Sequence, residues 1–316
     1  MEPTGKINMR KVLIDVCCVA IVGIAVLMFF LFGKPYERGF FCNDESLYHM
    51  FKTSTVTSPM LYAVGIFLPI CTMVAGEYFY WKRSGAQSSF MMLGKVVPYW
   101  VAMVYNKIGL FGYGAATTAL ATDIAKYTIG RLRPHFMDVC KPNINCSLPE
   151  NQHSYITNFT CTATNVSPRL LKELRLSFPS GHSSFSAYTM VWLALYLQLR
   201  ITWKGSKLLK HFLQFVCLMM AWFTAMTRIS NYKHHWSDVL AGMSLGTLIA
   251  LIMVFCVADL FKERRVASGI ETKLRSAEYD AENGTQTLLL LDASGHAEAD
   301  IMTMKPTATT ATRTDH

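Results

Sequence analysis

Charge is what this 316-residue chain has least of: only 16% of it is Asp, Glu, Lys or Arg, while 52% is hydrophobic. A soluble domain carries about 25% charged residues. The apolar residues here also come in long runs, so the pattern points to a polytopic membrane protein. Zinc-finger spacing and an aromatic–basic reading surface are both missing, which argues against nucleic acid as a partner despite the net charge of +9. Basic loops at membrane edges and an anionic ligand account for that charge more simply. No small-residue cleavage site follows the first apolar run. Lys34-Pro35-Tyr36 stands there instead, so the run reads as a retained signal anchor. None of the nine cysteines forms a pair with zinc-site spacing. Cys17, Cys18, Cys71, Cys217 and Cys256 lie in apolar runs and read as packing residues. Cys42, Cys140, Cys146 and Cys161 lie in polar loops and are disulfide candidates, with the pairing left open.

What the chain does have is six apolar segments. After a short basic stretch at residues 1–11, they cover about residues 12–32, 59–80, 99–124, 180–198, 208–226 and 239–261. An all-α, six-transmembrane bundle over residues 12–265 is expected. The third segment, with Gly109, Gly112, Gly114, Ala115, Ala116 and Ala119, is expected at its centre, because small residues let helices approach closely. Residues 266–316 are rich in Thr, Ala, Asp and Glu and read as a disordered cytosolic tail.

Six spans put both termini on one side. The short loops holding Lys82, Arg83 and Lys95, and Arg200, Lys204, Lys207 and Lys210, fall on that side and are basic, so the termini are expected in the cytosol. The long segment 125–179 then faces away from the cytosol. It carries three N-glycosylation sequons, at Asn145, Asn158 and Asn165, and three of the loop cysteines, which agree with an extracellular or lumenal location. A further sequon at Asn283 lies in the tail and is expected to stay unmodified.

Three polar clusters gather at the non-cytosolic ends of the spans: Lys126 to Arg133-Pro134, Pro179-Ser180-Gly181-His182, and Thr227-Arg228 through His234 to Asp238. Each alone has an ordinary reading, as snorkelling cations, a helix start capped by Ser180, or a hydrated loop. Together and in this order, they suit phosphoryl transfer to a histidine. Lys126, Arg133 and Arg228 would neutralise and orient a phosphate. Backbone N–H groups at Ser180 and Gly181 would bind the same oxygens at a helix start. His234 would attack phosphorus, with Asp238 four residues on along one helical face to hold its far nitrogen. His182 would protonate the leaving alkoxide and later activate water. His235 points elsewhere on such a helix and drops out, and His135 reads as a structural or rim residue. With three cations supplying the electrostatics, no metal and no other cofactor is required.

These residues carry a family resemblance. The clusters, with Thr122 to Phe136, Gly181 to Ser186, Tyr232 to Leu240 and Arg38 to Ser46 around them, resemble the lipid phosphate phosphatases, the animal branch of the type 2 phosphatidic acid phosphatase (PAP2) superfamily. The resemblance covers roughly residues 10–265. Thr227 stands where the superfamily usually has Ser, and the hydroxyl is retained. The resemblance implies the fold of the acid phosphatase–vanadium haloperoxidase type and a magnesium-independent phosphatase in the plasma membrane. It further implies an outward-facing site, a tendency to homo-oligomerise, and phosphatidate, lysophosphatidate, sphingosine 1-phosphate and ceramide 1-phosphate as candidate substrates. Three rivals stand beside it: a non-catalytic lipid-binding or adhesion protein on the same scaffold, an anion transporter, and an enzyme moving phosphate or a headgroup between lipids.

Overall fold

Six long helices carry the six apolar segments: α1 (Met9–Phe32), α2 (Ser58–Ser84), α3 (Tyr99–Ile129), α7 (Gly181–Arg200), α8 (Lys207–Ser230) and α9 (Trp236–Ile252), the last continued by a π-helical turn to Val257. Three short helices, α4 (Phe136–Cys140), α5 (Pro149–Gln152) and α6 (Pro168–Glu173), lie between α3 and α7. This computed structural model describes residues 5–6, 8–84, 89–92, 94–200, 207–258, 290–291 and 297–298. Lys204, the cluster 262–265, Asn283 and all of the expected tail but two dipeptides lie outside them. The chain divides into one unit over Met1–Ala258 and a second over Asp259–His316. In the second, Leu290–Leu291 pairs antiparallel with Ala297–Glu298.

Four of the helices, α1, α2, α8 and α9 with its π turn, are long and apolar enough to cross a membrane. The remaining two of the expected six spans, α3 and α7, fall short of that, and for α7 the reason lies in packing. Fourteen of the twenty α7 residues are buried, while α1 buries none of its twenty-four. A helix wrapped by protein need not be lipophilic all round. α7 touches α2, α3, α8 and α9, and α3 touches α1, α2, α7 and α9, so α7 shares the centre of the bundle with the expected α3 and is the more deeply buried of the two. Of the α3 glycines, a Cβ on Gly109 or Gly112 would meet nothing within 4 Å, while Gly114 lies against Tyr188 and Met253. The small residues that decide the packing are on α9, where a Cβ on Gly246 would fall 2.0 Å from the Ser184 carbonyl oxygen.

Inside α7 the polar side chains are satisfied locally. Thr189 and Ser186 donate back to carbonyls one turn earlier, Ser184 meets Thr122 of α3 at 2.9 Å, and Tyr188 donates to the Phe111 carbonyl at 2.8 Å. At the far end of α7, Glu77 of α2 is buried against Arg200 (2.8 Å) and the Tyr196 hydroxyl (3.1 Å).

The polar connections are folded. Between α2 and α3, the expected basic loop contains a hairpin of β3 (Ser89–Met92) and β4 (Lys95–Pro98), with β1 (Gly5–Lys6) alongside β3. On the other face, β2 (Phe40–Phe41) pairs with β5 (Tyr155–Ile156), joining the α1–α2 connection to the long segment. Phe40, Leu47, Leu132, Phe136, Val139 and Leu174 form a small core there. The open question of pairing resolves to Cys42–Cys146 and Cys140–Cys161, and the five apolar-run cysteines are free. The two disulfides tie this cap across the ends of the helices.

Candidate active site

Lys126 leaves the last turn of α3, and Gly130, in the left-handed region (φ 60°), stops that helix so that Arg131 to Arg133 turn back over the bundle. The Arg133 N–H donates to the Leu174 carbonyl at 2.9 Å, fixing that turn against the end of α6. Ser180 starts α7, its Oγ receiving hydrogen bonds from the Ser183 N–H and Oγ–H. Arg228 ends α8, and the turn after it folds back so that the N–H groups of Lys233 and His234 both donate to the Arg228 carbonyl. Three separate chain reversals thus deliver the three sequence clusters to one place.

That place is a cavity of about 1010 Å³. Lys126, Arg133, Gly181, His182, Arg228 and His234 all line it. An apolar part of its wall includes Val26, Leu27 and Phe30 of α1 with Leu61 of α2, and Asp123, Arg169, Lys172 and Glu173 also line it. The α1–α2 connection, unremarkable as sequence, supplies Phe51 and Ser54. Among the described residues, Lys126, Arg133 and Arg228 lack acidic partners at ion-pair distance, apart from a long Arg133–Glu173 approach of 3.9 Å. Among the described residues, Arg228 reaches the hydroxyls of Thr227 (3.2 Å) and Ser54 (3.5 Å) and no other hydrogen-bond partner from its side chain. Arg133 Nε, Arg228 Nε and His182 Nε2 are buried without a partner among the described residues. Buried donors left this way are costly unless a ligand meets them.

Gly181 is needed for space. A Cβ there would fall 2.9 Å from Lys126 Nζ, so the bare backbone makes room for the ammonium. Ser180 plays a different part from the one expected: its N–H donates to the Asp238 carbonyl at 2.9 Å and is not free for an anion.

The histidine geometry also departs from expectation. α9 begins at Trp236, with His235 as its N-cap, so His234 and Asp238 do not share a helical face. His234 is 4% exposed, and its Nδ1 donates to the Ser177 carbonyl at 2.7 Å, while Asp238 Oδ2 is 3.8 Å away. Asp238 instead closes a capping box with His235, accepting from its N–H (3.0 Å) and its Nδ1 (3.2 Å). It also binds the Ser177 hydroxyl and Arg131, each at 2.5 Å. Asp238 therefore holds Ser177 from its side chain, and Ser177 holds His234 from its backbone. His235, dismissed on sequence, is the imidazole nearer to Asp238.

Burial pushes the His234 imidazole down to about 3, with Arg133 and Lys126 adding to the effect and Asp238 opposing it. It is neutral at neutral pH. With Nδ1–H committed to Ser177, the lone pair is on Nε2. His135 is fully buried, donates from Nδ1 to the Tyr232 carbonyl (2.7 Å), and is pushed down to about 4 by burial, as a structural residue. Asp123 lines the cavity beside Lys126. Asn145, Asn158 and Asn165 are exposed and stand apart from the cavity.

Arg131, Ser177 and the Phe51 segment escaped the sequence reading. Arg131 lies inside the first cluster and was discoverable as a third basic residue there. Ser177 acts through its carbonyl, a role that no side-chain pattern encodes.

Comparison with known proteins bears on the whole assembly. The family model described as the PAP2 superfamily matches residues 107–262. A putative phosphatidate phosphatase of Drosophila melanogaster is 47% identical over 271 residues, covering 82% of this chain and 72% of its own. Phospholipid phosphatase 1 of Rattus norvegicus is 40% identical over 266 residues, covering 81% and 88%. Among solved structures, a transmembrane PAP2-type phosphatidylglycerolphosphate phosphatase from Bacillus subtilis is 21% identical, covers 79% of this chain and 87% of its own, and aligns with a TM-score of 0.37. With identity at this level over four-fifths of its length, the chain belongs to the PAP2 superfamily.

Proposed function

We propose that this protein hydrolyses lipid phosphate monoesters through a phosphohistidine. The observation that carries the reading is the cavity itself. Unpartnered cationic donors and two imidazoles line it together with an apolar stretch of wall from α1 and α2. The headgroup phosphate would sit among Lys126, Arg133 and Arg228, with the acyl or alkyl chain along Val26, Leu27 and Leu61. His234 Nε2 attacks phosphorus, and the bond to the lipid alkoxide breaks as His182 delivers a proton to that oxygen. Ser177 stabilises the imidazole through its carbonyl, backed by Asp238 and Arg131. Water then attacks the phosphohistidine, His182 takes its proton, and inorganic phosphate leaves. The chain's own cations neutralise the transferring group throughout.

Phosphatidate, lysophosphatidate, sphingosine 1-phosphate and ceramide 1-phosphate share the required chemistry, a phosphate monoester on a lipid. The relatives named as phosphatidate and phospholipid phosphatases support that class. Two disulfides in the cap over the site support an oxidising side, lumenal or extracellular, with the termini opposite and Asn145, Asn158 and Asn165 as glycan acceptors.

The direct test is phosphate release from short-chain phosphatidate in detergent with excess EDTA. Wild type is expected to be active and His234→Ala inactive, with an acid-labile phosphoenzyme trapped only in wild type. Full activity in His234→Ala removes the nucleophile from the mechanism, and loss of wild-type activity in EDTA removes the metal-free chemistry. Sidedness is read separately. Glycosidase treatment of the cell-expressed protein should lower its apparent mass, and an unchanged mass argues against the outward-facing loop.

A further inference from the structure

Lys233, next to His234, is used by none of the steps above. The turn that follows α8 places Tyr232 in the left-handed region (φ 54°) and sends the Lys233 side chain into the cavity, where it is 7% exposed. Its ammonium lies 3.5 Å from the centre of the Phe51 ring. Phe51 is itself fixed: its N–H donates to Asp138 at 2.8 Å, and its ring meets the edge of His135 at 5.2 Å between centroids. Among the described residues no carboxylate lies within ion-pair distance of Lys233. The acid that faces it, Glu173, is already engaged by Arg169 at 3.3 Å and approached by Arg133. An aromatic face offsets only part of the cost of removing an ammonium from water. The rest is offset when an anion enters.

We propose that Lys233, presented on the ring of Phe51, is a fourth phosphate-binding cation that reads the second negative charge of a phosphate monoester. The assignment rests on the lipid phosphate reading above and deepens it. A monoester is a dianion near neutral pH and a diester a monoanion. Lys126, Arg133 and Arg228 attract both, so a further buried cation adds most to the dianion. Discrimination between a lipid phosphate and an intact phosphodiester lipid is the expected result, and Phe51 acts as a positioning residue by holding the ammonium in the cavity.

Lys233 faces Arg133, Arg228 and Glu173, with His135 and its neighbour His234 also close. Burial and the two arginines lower its ammonium to about 8, while Glu173 opposes them. Dianion affinity should therefore fall as pH rises through about 8, as the lysine loses its proton.

The test uses two competitive inhibitors of the full-length protein in detergent: phenylphosphonate, a dianion above neutrality, and its monomethyl ester, a monoanion. Lys233→Met is expected to weaken phenylphosphonate about tenfold or more and the monomethyl ester less than about threefold. Lys233→Arg should keep the charge and move the alkaline loss of phenylphosphonate binding to higher pH, which a purely structural role for the lysine would not do. Equal loss for both inhibitors in Lys233→Met, or an unmoved alkaline limb in Lys233→Arg, overturns the proposal while leaving hydrolysis through His234 intact. Should wild type bind neither phosphonate, the phosphate reading falls with it.

Discussion

The two ends of α7 both bury charge, and they do so in opposite ways. At the Arg200 end, the Glu77 carboxylate meets Arg200 and Tyr196 within hydrogen-bond distance, and the Arg200 guanidinium also lies 4.5 Å from the centre of the Tyr80 ring. At the His182 end, about 27 Å away along the helix, Lys126, Arg133, Arg228 and Lys233 converge with no acid closer than the 3.9 Å Arg133–Glu173 approach among the described residues. Charge that is matched holds helices together. Charge that is unmatched, at similar depth, destabilises the empty protein and is compensated by a ligand. The contrast separates scaffold from site without reference to any motif.

The comparison can be broken by exchanging its terms. Removing Arg228 from the unmatched end should lower kcat/KM for short-chain phosphatidate by about a thousandfold. The melting temperature of Arg228→Met in detergent should not fall, because a buried cation with like-charged neighbours is lost. Removing Arg200 from the matched end should do the reverse. Arg200→Met leaves Glu77 buried and uncompensated, a loss of roughly 3–5 kcal/mol in stability, with kcat/KM near wild type in whatever fraction stays folded. If Arg228→Met melts early or Arg200→Met loses activity in the folded fraction, the division between the two ends fails.

A third prediction sharpens the same contrast through pH. His135 and His234 are held neutral near the cations, with folded values of about 4 and about 3 against an ordinary 6.5. Above 6.5 they are neutral in folded and unfolded chains alike. Below it the unfolded chain takes up the protons first, so stability falls between pH 6.5 and about 4. His135 alone contributes up to about 3 kcal/mol of that loss. Thermal melts from pH 7 to 4.5 should show it, and His135→Phe should flatten the curve. The smallest effect belongs to Gly181→Ala. The added methyl displaces only the flexible tip of Lys126, so kcat/KM should drop about tenfold with an unchanged melting temperature. A large melting shift there would mean that the glycine serves packing instead.

Much of the site was legible because its chemistry is carried by side chains at fixed spacing. Lys126, Arg133, His182, Arg228 and His234 do line one cavity. What the spacing misled about is local geometry. Treating His234 to Asp238 as helix made them partners, whereas the capping box at His235 starts α9 later and gives Asp238 to His235 and Ser177. Backbone roles such as that of Ser177, and contacts across distant loops such as Phe51 over Lys233, depend on tertiary approach and leave no periodic trace. The fold shows the same limit. Hydropathy finds α1 most readily because none of its residues is buried, and ranks α7 low because protein surrounds it. For a bundle of this kind, hydropathy reports exposure to lipid and not membership of the core.

The Cys42–Cys146 bridge joins positions 104 residues apart, and its length has a consequence for the timing of assembly. Cys42 is synthesised with the first helix, yet its partner appears only after α3 and α4 are made. The segment carrying Phe51 and Ser54 therefore waits, unclosed, while nearly half the domain is still on the ribosome. His182, Arg228 and His234 arrive later still. A chain cut before α9 lacks Asp238, and with it the carboxylate that holds Ser177 and, through the Ser177 carbonyl, His234.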